Sequence, residues 1–409
     1  MIADPLRPAL FLVALVAVLA MGPVAPEAGN ILLLTAGGLA ILLLRSVDLE
    51  LIARPIVWMP LAGLLLLAIA YGFGSGSISG LIGIGYFAPM LAIAPLLALN
   101  RGDNTVAPAT IAVLSLCGVA GAAAVAVGEF VASGTFRAGG TVANPIHFAD
   151  VALTVGFVAT LGVVFVKGPW RYMFLAGPLL ASVAVLFSGT RGAVVALVVM
   201  VTVAVLLTIF MRLVAARIVG IAALASVAVV GVAIIAGVGQ TSGVQRVATD
   251  INDVMRTGLP NDASTELRLR MYQGGLGAFM ASPLVGHGPF NYAVVASSYS
   301  DVPFETPHLH NDLADFASSG GVMGLLAYFL FLLAPVVEAV SAPASATRGG
   351  LIVIAASLSA GYFVMGLTNA MFGILNVTVC FAAVALVISV LSRRTATSIV
   401  QPTRAKAVR

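Results

Sequence analysis

Apolar runs of roughly 17–24 residues recur along this chain, and a run of that length spans a bilayer core when wound as an α-helix. The stretch PIVWMPLAGLLLLAIAYGFG, residues 55–74, is one of them. Nothing constrains the fold more. In hydrocarbon every backbone N–H and C=O must be paired inside the protein, which leaves only helices and closed barrels. Barrel strands alternate apolar and polar residues over short segments, whereas these runs are continuous. Charged residues make up 9% of the chain and hydrophobic residues 60%, against about 25% charged in a soluble domain. The sequence predicts an all-α, polytopic transmembrane helix bundle of about 12 spans with a long, partly helical loop.

The expected spans lie near 8–22, 30–44, 55–74, 78–99, 105–128, 149–166, 171–189, 191–211, 216–239, 320–341, 350–369 and 371–391. This divides the chain into an N-terminal transmembrane bundle (1–239), a loop or cap (240–319), C-terminal transmembrane helices (320–391) and a basic tail (392–409). Residues 1–29 resemble a signal peptide, but with so many spans following, an uncleaved first helix is expected. Orientation follows from Lys and Arg, which favour the cytoplasmic side. Placing both termini there puts Arg7, Arg45, Arg54, Arg101, Lys167, Arg171, Arg212, Arg217, Arg348, Arg393, Arg394, Arg404, Lys406 and Arg409 inside, 14 of the 20 basic residues. The formal charge of +4 thus belongs to cytoplasmic loops and tail and does not indicate nucleic-acid binding. Cys117 and Cys380 both fall in spans, so no disulfide is expected.

Two far-side segments are polar. One, 128–150, holds Glu129, Arg137, Asn144-Pro145, His147 and Asp150. The other, 240–319, is too long for a structureless connection inside a compact domain. It has an amphipathic stretch from Ser264 through Met280, then a turn at Gly286-His287-Gly288-Pro289, and reads as a small helical cap over the bundle. His308-Leu309-His310-Asn311-Asp312 closes it. Histidine exchanges protons near neutral pH, and arginine presents a permanently charged planar fork suited to phosphate oxygens. His308 and His310 with Arg137, Arg191, Arg268 and Arg270 are therefore the candidate site residues, since several arginines at a membrane interface suit a lipid-borne diphosphate. Taken singly, each has a plainer reading. Arg191 serves equally as a snorkelling anchor, and Arg268 and Arg270 as a solvated helix face. His147 and His287 read as structural or loop residues. His308 and His310 have the spacing of two metal ligands, but no third ligand has a matching spacing, so no metal and no cofactor is expected.

The order of these pieces resembles the O-antigen ligase and polymerase superfamily of bacterial envelope glycosyltransferases. Four elements carry the likeness: Arg137 with Gly140-Thr141 and Asn144-Pro145; Ser188 with Arg191-Gly192; Arg268 with Tyr272, Pro283, Gly286, Gly288 and Phe290; and His308-Leu309-His310-Asn311 with Gly321 and Gly324-Leu325. Tyr272 stands where such proteins commonly have Trp. The resemblance implies a periplasmic-face glycosyltransferase of the bacterial inner membrane, with a glycan on undecaprenyl diphosphate as donor and a lipid A–core or other glycan as acceptor. It implies one inverting displacement. In that reaction His310 is the expected general base and His308 its orienter, with Arg191 and Arg268 as diphosphate clamps and Arg137 and Arg270 as further contacts. A ligase is the first reading and a polymerase of the same superfamily the second. A small-anion transporter is the rival from another class. It calls for ionisable residues along the middle of spans, where this chain has Glu338 near a span end and the uncharged Asn369 and Asn376.

Overall fold

The computed structural model describes residues 3–100, 106–213 and 263–400, with a few positions between 220 and 256. The expected span 216–239, the first part of the long loop and residues 401–409 lie outside or almost outside these. Among the described residues all regular structure is helical. In chain order the main helices are α1 (Ala3–Leu15), α2 (Pro26–Leu42), α3 (Pro55–Gly74), α4 (Pro108–Ser133), α5 (Pro145–Ala159), α6 (Ala176–Ser188), α7 (Arg191–Phe210), α8 (Ala263–Ala281), α9 (Tyr292–Ser298), α10 (Asp312–Ser341), α11 (Arg348–Gly366) and α12 (Leu375–Val400). Nine helical segments among the described residues are long and apolar enough to cross a membrane. Two shorter apolar helices, Leu6–Met21 and Pro26–Leu42, stand where the first two spans were expected. The chain is a polytopic membrane bundle.

Local chemistry sets the helix ends. Proline opens α2, α3, α4 and α5, where its missing N–H costs nothing and its fixed φ suits a first turn. The Asn144 side chain accepts from the Ile146 N–H at 3.0 Å, capping α5. Gly156 and Gly177 let α5 and α6 touch, because a Cβ on Gly177 would lie 2.4 Å from the Gly156 carbonyl oxygen. Small residues at crossings are how membrane helices gain close packing.

Helix ends divide the polar residues between the two ends of the bundle. At one end Arg7 donates to the Ala98 carbonyl at 2.7 Å and lies 3.4 Å from Asp48. There too Arg54 pairs with Glu338 and donates to Ser392 at 2.6 Å. The opposite end carries the loop 134–144, the α6–α7 turn, α8, α9 and the histidine segment.

The structure starts two elements earlier than the sequence suggested. Helix α5 begins at Pro145, so His147 and Asp150 are helical rather than in a loop. Helix α10 begins at Asp312 rather than near 320, directly after the histidines. The reason is the Asn311 side chain, which accepts from the Ala314 N–H at 3.1 Å and nucleates a turn among polar residues.

Helix α10 is interrupted at Gly321, whose φ of 61 and ψ of −149 are open essentially to glycine alone. The break is filled by the turn 283–288. His287 and Gly288 donate their N–H groups to the Ser318 and Ser319 carbonyls, both at 2.9 Å, and Val322 donates to the Pro283 carbonyl at 2.8 Å. A Cβ on Gly286 would lie 2.4 Å from the Ser319 carbonyl carbon, and one on Gly321 equally close to that of Leu284. The Pro-x-x-Gly-x-Gly segment is thus a splice that locks the cap into a membrane helix.

Candidate active site at one end of the bundle

The histidine segment is held from below by the connection 367–374 between α11 and α12. The Leu367 carbonyl accepts from the Asn311 amide at 3.1 Å and from the Tyr272 hydroxyl at 3.0 Å. Asp312, fully buried, accepts from the Met371 N–H at 2.8 Å. Asp315 accepts from the Leu309 N–H at 2.7 Å. Leu309 itself is buried with Met271, Ala278, Ala296 and Phe304, so His308 and His310 flank an apolar anchor.

His310 takes a left-handed backbone, φ 53, which a residue with a Cβ adopts at a cost of order 1–3 kcal/mol and which clusters at functional sites. Its N–H faces His308 Nδ1 at 3.3 Å, and the two rings lie 4.2 Å apart, edge to face. His310 Nδ1 lies 3.4 Å from Asn369 Oδ1. Burial lowers His308 to about 4, with further depression from His310 and His147. Burial also lowers His310, with Arg268 acting in the same direction and the Asn369 contact opposing it. Both imidazoles are neutral at pH 7, the form in which a histidine accepts a proton.

Arg191 is the first residue of α7, after the left-handed Gly189 that ends α6. It donates to Thr265 of α8 at 2.9 Å. The next residue, Gly192, abuts Thr368 so closely that a Cβ would lie 2.1 Å from its hydroxyl. Arg191 therefore stands beside the same 367–374 connection that carries the histidines. On α8, Thr265, Arg268 and Tyr272 form one stripe at i, i+3 and i+7. Thr265 meets Arg191, Tyr272 meets Leu367, and the Arg268 charge acts on both Tyr272 and His310. Tyr272 is raised above its ordinary value by burial and stays protonated, as a donor.

Arg270 is not brought to this stripe. Two residues from Arg268 it lies roughly 200° around the helix, and it pairs with Glu266 at 2.5 Å. Arg137 is exposed on the loop before α5. Glu129 shapes that loop by accepting from the Gly139 N–H at 2.8 Å and the Thr141 N–H at 3.2 Å. The loop meets the α6–α7 turn through the Ala138 N–H, which donates to Phe187 at 3.0 Å.

Sequence reasoning passed over three residues that belong here. Asn369 contacts His310, the buried Asp150 faces Asn369, and His147 lies within electrostatic reach of His308 and His310. In the sequence Asn369 showed only as polarity inside an apolar run, while His147 and Asp150 lay in the polar segment 128–150 without a spacing that tied them to His310. Among the described residues no group of three or more His, Cys, Asp and Glu is arranged to hold a metal ion.

Chemically, the site pairs a proton acceptor with fixed positive charge at the mouth of a membrane bundle. The profile of the O-antigen ligase family matches residues 176–329. The match runs from the start of α6 into α10 and takes in Arg191, Arg268, Tyr272, the 283–288 splice and His308–Asn311. No curated protein matches the chain.

Proposed function

We propose that this chain is an O-antigen ligase-like glycosyltransferase, because residues 176–329 match the O-antigen ligase family, a family that implies glycan transfer from lipid-linked substrates in a membrane. It moves a glycan from undecaprenyl diphosphate to a sugar hydroxyl of lipid A–core at the periplasmic face. The observation that carries this reading is the neutral His310 with Asn369 behind it and Arg268 acting on it, next to Arg191.

The acceptor O–H gives its proton to His310 as the oxygen bonds to the anomeric carbon. The bond from that carbon to the diphosphate breaks on the opposite face, so the configuration inverts. Undecaprenyl diphosphate leaves with the electron pair, and Arg191 and Arg268 stabilise the charge growing on it, which is usually the largest contribution to such a step. Proton transfer to a positioned base adds typically 10²–10⁴-fold. His308 orients its neighbour through the His310 N–H. No divalent ion is needed, since the arginines hold the diphosphate. In this reading the described part of the cap, residues 263–311, lies on the periplasmic side.

The test uses purified protein in detergent with lipid-linked glycan and lipid A–core, and no membrane gradient. Glycosylated acceptor should form, and should form equally in EDTA. No product would leave the transporter reading in place, and strict metal dependence would overturn the arginine clamp. A polymerase of the same superfamily uses the same donor; product only with a second lipid-linked repeat unit as acceptor would assign that branch.

A further inference from the structure

Behind His310 lies a chain of polar groups that runs into the bundle. Asn369 sits in the connection between α11 and α12, 2% exposed, with its Oδ1 3.4 Å from His310 Nδ1. On its other side is Asp150, one turn into α5 and 1% exposed. That contact is long: Asp150 Oδ2 and Asn369 Nδ2 are both buried, and neither makes a close hydrogen bond to any other group. Buried polar atoms without partners are costly, so their retention calls for a reason.

The polarity of the three groups supplies one. Asn369 turns its carbonyl oxygen to His310 Nδ1, which leaves its NH₂ for Asp150, whose carboxyl can accept through an oxygen lone pair. An amide oxygen only accepts. His310 Nδ1 must then carry the proton, which leaves the lone pair on Nε2. We propose that Asn369 is the positioning residue that fixes the His310 tautomer with Nε2 unprotonated, and that Asp150 orients the Asn369 amide for this. This rests on the reading of His310 as the base, and it assigns the proton-accepting atom as Nε2. In serine-hydrolase triads a carboxylate does this job and stabilises the imidazolium strongly. An uncharged amide fixes the tautomer with less stabilisation of the charged form, so His310 stays neutral further into acid. Other groups around the imidazole set the same field: His308 beside it, His147 and Asp150 on α5, Arg268 and Tyr272 on α8, Arg191 on α7, and Asp312 and Asp315 on α10.

Four histidines make the tautomer directly measurable. In ¹⁵N-histidine protein in detergent, each ring is assigned by its loss in a single His→Gln variant. His310 should show a protonated Nδ1 and a bare Nε2. Asn369→Leu should mix the two tautomers and lower kcat by about 10-fold or more, toward the full 10²–10⁴-fold of a general base, with KM for the lipid-linked donor unchanged. Asp150→Leu should shift the same resonances, and the double variant should be no worse than Asn369→Leu, as expected for groups acting in series. Asn369→Asp, nearly the same size, carries the test if the leucine variant does not fold. It should keep the tautomer but move the acid limb of the kcat profile to higher pH. A proton on Nε2 in the unmodified protein, or unaltered His310 resonances in Asn369→Leu, overturns the inference and leaves the base reading standing. Full transfer by His310→Gln overturns the base reading whatever the tautomer.

Discussion

Two arginines separated by one residue illustrate how little of a site is residue type alone. Arg268 and Arg270 have the same chemistry, but the helix turns one toward His310 and the other toward Glu266. Arg268→Ala should abolish transfer with the protein still folded. Arg270→Ala should lose only an exposed i,i+4 pair, worth about 0.3–0.5 kcal/mol, and transfer near the normal rate. Equal losses in both variants would place the donor across both faces of α8. At α7, Arg191→Lys should recover only part of what Arg191→Ala loses, because lysine keeps the charge but not the bidentate fork. His310→Ala should slow transfer by roughly 10²-fold or more. With burial and Arg268 both lowering the imidazole, activity falls as pH drops through a pKa below the usual 6.5 or so, and is level above it. An acid limb above that value would mean that His310 is not the titrating group.

Elements explain why these residues meet. The cap is fastened to the bundle by backbone hydrogen bonds across the break in α10, and only glycine fits at 286 and 321. Gly321→Ala puts a side chain into backbone where φ is 61, a cost of about 1–3 kcal/mol for the conformation alone before the clash with Leu284. The expected result is a lower melting temperature and faster proteolysis within 263–300, with transfer lost although no site residue has changed. A cap that stays protected while transfer continues would show that the splice is incidental. The sequence displayed most of this only in outline. Long apolar runs revealed the spans, since hydrocarbon tolerates little else, and Ser264–Met280 matched α8 to within a residue at each end. It hid the start of α10, because Asp312 and Asp315 look like loop residues until their buried partners at Met371 and Leu309 are seen. It hid Asn369 for the same reason: one amide in an apolar run has no periodicity, and only the fold brings it 3.4 Å from a histidine 59 residues away.

At the scale of the whole molecule, the two ends of the bundle do different work. One end ties Arg7 and Arg54 into ion pairs with Asp48 and Glu338, deep among helix termini. The other leaves Arg137 exposed and sets Arg191 and Arg268 around two neutral histidines. The 14-to-6 split of basic residues along the sequence predicts, by the positive-inside rule, that the ion-paired end is cytoplasmic. On the proposed function, the histidine end is then expected to face the periplasm, where the lipid-linked donor would be met. A reporter active only in the periplasm tests this directly. Fused after Arg212, at the exposed end of α7, it should be silent; fused after the exposed Asp301 in the cap, it should be active. Charge supplies the force that sets the pattern, so replacing Arg393 and Arg394 with neutral residues should weaken the preference without reversing it, because 12 of the 14 cytoplasmic basic residues remain. The opposite pattern, active after Arg212 and silent after Asp301, would put His310 in the cytoplasm and remove the lipid-linked donor from its reach.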